Sequence, residues 1–204
     1  MKPAIISTLL ATALAAPSLI ERGSCPANSK YPAGAISPYG LVPISSSHPS
    51  KKYGFVPKGI VTPNDLCTIV DLKIPDSING ELTLLKTCTL TFSFPTPSQA
   101  APHKLSFSGG GHFTFSGYLT GFGGDENTSY DNQPLIGPSP PFPPPVMKPG
   151  STYTIADLPC GILPGSGGQT VSGALCSQDS KLEWEQTKAG GDGGCPVGFF
   201  VVVH

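Results

Sequence analysis

Charge is scarce in this 204-residue chain: Asp, Glu, Lys and Arg make up 12% of it, and 12 basic against 13 acidic residues leave a net charge of −1. With no basic field to lay against a phosphate backbone, nucleic-acid binding is excluded as a main role. Helical stripes are missing too. Glycine (25) and proline (24) recur so often that a helical bundle or coiled coil is ruled out. Beyond the first 16 residues no apolar run reaches membrane-spanning length. No two cysteines stand closer than Cys160 and Cys176, so the short Cys/His spacings of a metal site are absent. Gly109-Gly110-Gly111 is followed by no Gly-Lys-Ser/Thr, and no serine sits in Gly-x-Ser-x-Gly; Ser166 comes nearest and lacks the first glycine. A phosphate loop and a nucleophile elbow therefore have no support, and no catalytic, cofactor-binding or metal-binding residue is assigned.

What the chain has begins with a leader. Met1-Lys2 precedes an uncharged stretch ending Ala13-Leu14-Ala15-Ala16, which reads as a signal peptide over residues 1–16, cleaved after Ala15 or Ala16. All six cysteines, Cys25, Cys67, Cys88, Cys160, Cys176 and Cys195, follow that point. An even count in an exported chain predicts three disulfides among 15 possible pairings. Asn127-Thr128-Ser129 is a glycosylation sequon.

Residues 17–62, rich in proline and serine and without a sustained period, read as an N-terminal arm. Residues 63–204 read as the folded domain. Leu66 to Ile74 alternates an apolar face (Leu66, Thr68, Val70, Leu72, Ile74) with a mixed one (Cys67, Ile69, Asp71, Lys73), the pattern of a strand. Asn79-Gly80 supplies a turn, and Leu82 to Leu85 is read as opening a further strand. Cys88 to Phe94 alternates without exception, with hydroxyls expected outward. Leu105–Phe107 and His112–Phe115 flank the glycine run as an expected hairpin. The proline-rich stretch 137–149 reads as a stiff crossover. Ser151–Asp157, Gln169–Cys176, Lys181–Gln186 and Val197–Val203 complete about eight strands. The fold class that follows is all-β: a disulfide-braced antiparallel β-sandwich.

Two sets of residues are candidates for chemistry. Glu183 and Glu185 share one strand face at a spacing that suits a glycoside hydrolase pair, though two glutamates on a solvated strand face with Trp184 in the core is much the commoner arrangement. Tyr118, Phe122, Tyr130 and Trp184, with Phe142, are aromatic rings able to stack on sugars. Asp125, Glu126 and Asp131 are loop acids within reach of a cation site, or simply hydrated.

From Lys86 to Pro95 the chain resembles the fungal family called the But-two C-terminal domain, whose founding member carries a ubiquitin-related label. The resemblance continues in order through Thr128–Pro134, Lys148–Ile155, Pro159-Cys160 and Cys195–Phe199, over roughly residues 60 to 204. It implies a secreted or cell-surface fungal β-sandwich, with no established catalytic residue to carry over. The chain departs from it by ending on His204 and by an insertion at Glu81–Leu85. The ubiquitin-related label implies a cytosolic or nuclear partner, whereas the leader points to export. The expectation is a non-enzymatic wall or cell-surface protein that binds glycan or serves structure. The alternatives are a secreted interaction protein with a protein partner, and a hydrolase. No nucleic acid, cofactor or membrane span in the mature chain is expected.

Overall fold

A computed structural model describes residues 24–32, 34–137 and 144–204. The expected leader, residues 1–16, and Phe142 lie outside these residues. Twelve strands and one short helix follow in chain order: β1 (Gly40–Ser45), β2 (Lys58–Val61), β3 (Leu66–Ile74), β4 (Ser77–Ile78), β5 (Glu81–Leu82), β6 (Thr87–Phe94), α1 (Pro97–Ala100), β7 (Leu105–Gly109), β8 (Phe113–Gly117), β9 (Ser151–Pro159), β10 (Gln169–Ser177), β11 (Ser180–Glu185) and β12 (Gly198–Val203). All pairings are antiparallel. They form sheets β1-β3-β10-β8, β2-β11-β7 and β12-β6-β9, with a separate β4-β5 ribbon. No helix among the described residues is long and apolar enough to cross a membrane.

The β12-β6-β9 sheet packs against the other two sheets through one aromatic core. Phe92 meets Trp184 and Phe199 at ring centroids of 5.7 and 4.8 Å, Phe94 meets Phe107 at 5.3 Å, and Phe115 meets Phe199 at 5.6 Å. Val70, Leu72 and Ile74 of β3 enter the same cluster. Thr68 joins the two sheets on the far side: its hydroxyl donates to the Ile60 carbonyl (2.7 Å) and accepts from the Ile60 N–H (2.8 Å). A buried hydroxyl thus continues a ladder that the backbone has ended.

Several expectations change. The stretch 17–62 is not a loose arm where it is described. All six residues of β1 are buried, and β2 is an edge of the second sheet. Upstream, Cys25 is bonded to Cys195, the Tyr31 ring stacks on Phe200 at 4.4 Å with its hydroxyl 3.1 Å from Thr91, and Ile36 bridges Val201. These contacts cover the outer side of β6, so Thr91 and Ser93 are buried rather than outward in water. The domain therefore starts well before residue 63. Sequence periodicity misread the arm because β1 carries Pro43, which an edge strand tolerates, and because every one of its residues is covered, so no polar alternation shows.

The expected hairpin across Gly109–Gly111 is a corner instead. β7 pairs with β11 while β8 pairs with β10, so the chain changes sheets there. Positive φ at Gly109 (117°) and Gly111 (91°) makes the corner possible. The β10–β11 connection changes sheets beside it, where Ser180 Oγ accepts from Gly111 N–H at 2.7 Å. Asn79-Gly80 turns as expected, with φ of 54° and 82°. It joins only the two-residue strands β4 and β5, and Leu85 is left 94% exposed rather than built into a strand.

The cysteines pair as Cys25–Cys195, Cys67–Cys176 and Cys88–Cys160, across 170, 109 and 72 residues. Loops of that size each remove about 4–5 kcal/mol of chain entropy from the unfolded state on the chain-entropy account. Non-reducing peptide mapping is expected to recover these three pairs. Replacing Cys67 and Cys176 together with alanine is expected to lower the unfolding free energy by about 2–5 kcal/mol in urea titrations; a loss below 1 kcal/mol would contradict the bracing role.

Candidate binding face

The face of β3 that carries Cys67, Ile69, Asp71 and Lys73, expected to be mixed, forms the outer side of the β1-β3-β10-β8 sheet. That side holds a second apolar cluster, Val42, Ile44, Cys67, Ile69, Tyr118 and Ala174, roofed by the loop that follows β8. That loop crosses to the segment before β2: Asp131 N–H donates to the Pro49 carbonyl (3.1 Å), Ser50 Oγ donates to Asp131 (3.1 Å), and Lys52 Nζ lies 3.4 Å from Asn127 Oδ1. Asp71, at the centre of β3, points into this roofed space and is 0% exposed.

The Asp71 carboxylate has one hydrogen bond, from Gly124 N–H to Oδ1 at 3.0 Å. Its Oδ2 is buried without a partner. Glycines make the approach possible: a Cβ on Gly123 would come within 2.6 Å of Oδ1, and one on Gly40 or Gly124 within 3.5 or 3.4 Å of Oδ2. Burial, with the Asp125 carboxylate nearby, pushes the Asp71 pKa up to about 6 against the pull of the Gly124 N–H. Asp125 goes the other way. Its carboxylate is held below the usual range by the Thr128 hydroxyl and the Asn127 N–H, at 2.9 and 2.8 Å.

Three exposed aromatic rings surround this point. Tyr39 is 56% exposed, and its N–H donates to the Asp71 carbonyl at 2.9 Å. Phe55 is 42% exposed and lies over Gly40, the register partner of Asp71. Phe122 is 56% exposed, and its carbonyl accepts from Ser172 Oγ at 2.5 Å; Ser172 faces Asp71 across the ladder. Rings left in water beside a shielded polar group form a surface on which a flat, partly apolar ligand can stack.

Of the rings singled out in the sequence, Phe122 belongs to this face and Tyr130 is 39% exposed nearby. Trp184 and Tyr118 do not present a face. Trp184 is 1% exposed, held against Phe92 and Phe199; Tyr118 is 5% exposed, and its hydroxyl donates to Gln133 at 2.6 Å. Both are corrected from stacking positions to interior ones, because each ring contributes more by filling the core than by waiting in solvent. Tyr39 and Phe55 were missed because they lie in the stretch read as an arm.

The other constellations do not converge. Glu183 pairs with Lys181 (3.0 Å), and Glu185 accepts from Lys104 N–H (3.2 Å). Glu183 borders a hollow of about 340 Å³ with Lys58, His103 and Lys104, which Glu185 does not line. His112 Nδ1 lies 2.5 Å from Asp179, but the nearby hydroxyls of Ser180 and Ser177 donate to Asp179 and to the His112 carbonyl. That arrangement braces the glycine corner and lacks the serine-to-imidazole bond of a nucleophilic triad. Asp131 is engaged by Ser50 and Asp125 by its own loop, so the loop acids do not gather around a cation site. A separate apolar cleft of about 210 Å³ opens between the sheets where β8 and β9 face each other, lined by Leu72, Leu90, Phe115, Leu158, Val171 and Val201.

Asp71 sets the sign of a pH dependence. A carboxyl whose folded pKa lies above its unfolded value near 3.9 stabilises the fold at low pH, and that contribution is lost as pH rises through about 6. The total is up to about 3 kcal/mol at neutral pH. Asp65, Asp125 and Asp179, all lowered, act oppositely as pH falls below about 4. Urea titrations across pH 3–8 are expected to show maximal stability near pH 4, a descent between about pH 4 and 6, where the unfolded carboxyl is ionised and the folded one is not, and a plateau above pH 6. The descent between pH 4 and 6 is expected to disappear in Asp71→Asn; the same descent in both proteins would refute the assignment.

No curated protein matches this chain. The family model described as the ubiquitin 3 binding protein But2 C-terminal domain matches residues 37–189. The match starts just before the exposed ring of Tyr39 and takes in both β1 and the Asp71 face, whereas the fold runs on beyond it through β12. With three quarters of its length inside that match, the chain belongs to the But2 C-terminal domain family.

Proposed function

We propose that this protein is an exported fungal wall or cell-surface protein that acts by binding, and that its ligand is a neutral glycan held against Tyr39, Phe55 and Phe122. The observation that carries the reading is the gathering of these three exposed rings around one roofed point of the sheet. Sugar rings offer apolar C–H faces, and aromatic rings take them without needing charge. That suits a chain with little charge to give. Export is supported by the leader-like residues 1–16 and by six cysteines that all pair. Asn127, on the exposed loop that roofs Asp71, is the proposed site of N-glycosylation. The secreted protein is expected to be retained on insoluble chitin or β-glucan, and the triple variant Tyr39→Ala, Phe55→Ala, Phe122→Ala to lose about tenfold in bound fraction. Absence of retention on every wall polymer would remove the glycan.

A protein partner is the second reading, and two observations favour it. The family is described by binding to a ubiquitin, and the cleft between β8 and β9 has Leu158 exposed in its wall, with Leu119 and Ile136 exposed beside its Tyr118 end. Aliphatic side chains left in water around an apolar cleft mark protein interaction surfaces. On this reading calorimetry with purified ubiquitin is expected to give a saturable heat for the wild type and none for Leu158→Asp. No heat from the wild type would end the reading.

A further inference from the structure

Asp71 is an anomaly in the fold: one oxygen serves the Gly124 N–H and the other is buried with nothing to bond. A fully covered carboxyl with one unpartnered oxygen costs free energy that an apolar residue there would not. The loop that covers it carries Phe122, one of the three rings of the binding face. The contact between them is a single hydrogen bond from Gly124, seated on glycines that leave no side chain in the way. Other bonds of the roof lie farther along, at Asn127, Asp131 and Gln133. The short stretch Gly121–Asp125 is therefore held down at its two ends, at the Phe122 carbonyl, which accepts from Ser172 Oγ at 2.5 Å, and at Asp71. At its start Gly121 N–H donates to the Thr170 carbonyl at 2.8 Å.

Resting on the glycan-binding reading, we infer that Gly121–Asp125 is an acid-closed clamp: it seats Phe122 beside Tyr39 and Phe55 when Asp71 is neutral and lifts when Asp71 ionises. Burial and the charged groups facing Asp71 favour this direction, against the Gly124 N–H, whose bond is stronger to the ionised carboxylate. Asp125, on the clamp itself, repels the ionised carboxyl. Tyr39 near the start of β1 and Tyr118 after β8 have their hydroxyl pKa values pushed up by burial and further by a charge on Asp71, and Tyr130 acts on Tyr118 in the same sense. Lys73, two residues along β3, is exposed, and Lys52 acts on Asp125. Thr170 and Ser172 of β10 are neutral. An ionised Asp71 thus gains no counter-charge inside, and water reaches it most cheaply by displacement of the glycines above it. Local opening costs less than unfolding when only a few contacts are broken.

Asp71 is on this account a positioning residue, not a group that touches sugar. The test measures two things on the full secreted chain at pH 4.5 and 7.5. Amide exchange of Gly123 and Gly124, corrected for intrinsic rates, reads the clamp; affinity for chitohexaose and for laminarihexaose reads the ligand. Wild type is expected to lose protection at pH 7.5 and to bind the recognised oligosaccharide about tenfold more weakly there. Asp71→Asn is expected to be protected at both pH values and to bind at pH 7.5 as wild type does at 4.5. Gly123→Ala, whose methyl collides with Asp71, is expected to be open and weak at both. Equal pH dependence of exchange in wild type and Asp71→Asn overturns the clamp. Exchange that follows the expectation with neither oligosaccharide bound supports the clamp and overturns the glycan. Binding that is indifferent to both pH and Asp71→Asn upholds the glycan and overturns the clamp.

Discussion

A sheet has two faces, and in this protein both faces of the main sheet are taken out of water although only 38% of the residues are hydrophobic. The inner face of β1-β3-β10-β8 spends the large aromatics, which fill the space shared with β6, β11 and β12. Little is left for the outer face, so it is covered by irregular chain. Covering a sheet with loops is entropically costly, and covalent crosslinks offset part of it. Cys67–Cys176 ties β3 to β10 within the outer cluster, and Cys25–Cys195 pins the segment whose Tyr31 covers β6. Bridges spanning 109 and 170 residues restrict the unfolded chain most where the folded one has least apolar area to bury.

The binding face arises from the same shortage. Beside Asp71 the loop comes down on Gly123 and Gly124, and a backbone that close exposes N–H groups that need acceptors. Asp71 supplies the acceptor for Gly124, at the cost of an oxygen with nothing to bond. The rings that would have sealed the loop against the sheet stay in water instead: Tyr39, Phe55 and Phe122 are each at least 42% exposed. Marginal local stability and exposed stacking surface are two results of one packing compromise. Sites that must admit a ligand are drawn from such regions.

Much of this was legible in the residues. Strands whose two faces differ in residue type announce themselves by period two, as β6 and β11 do, and the even cysteine count indicated bridges before any pairing was visible. Strands with apolar residues on both faces leave no such alternation, which is why β1 was taken for part of an arm and why the face of Cys67, Ile69, Asp71 and Lys73 read only as mixed. The sheet change at Gly109–Gly111 was hidden for a different reason: hairpins and corners use the same glycines, and only the partner strand distinguishes them. Trp184 was named both as core and as a stacking ring. Its neighbours Phe92 and Phe199, each more than ten residues away in the chain, decide the matter.

The aromatic face and the aliphatic cleft are not independent surfaces, because Tyr118 lies buried beneath one and borders the other. Its ring lies in the outer cluster, its side also borders the cleft between β8 and β9, and its hydroxyl senses the charge of Asp71. Tyr118 is also where the roofing loop leaves β8, through the bond from its N–H to the Ser172 carbonyl and the bridge to Ile136. A shift of residues 118–124 that lifts Phe122 from one face must therefore also move Leu119 and Ile136 at the mouth of the other. If both surfaces bind, occupancy of the cleft and closure over Asp71 are coupled through this one residue, and by linkage each must bias the other by the same factor.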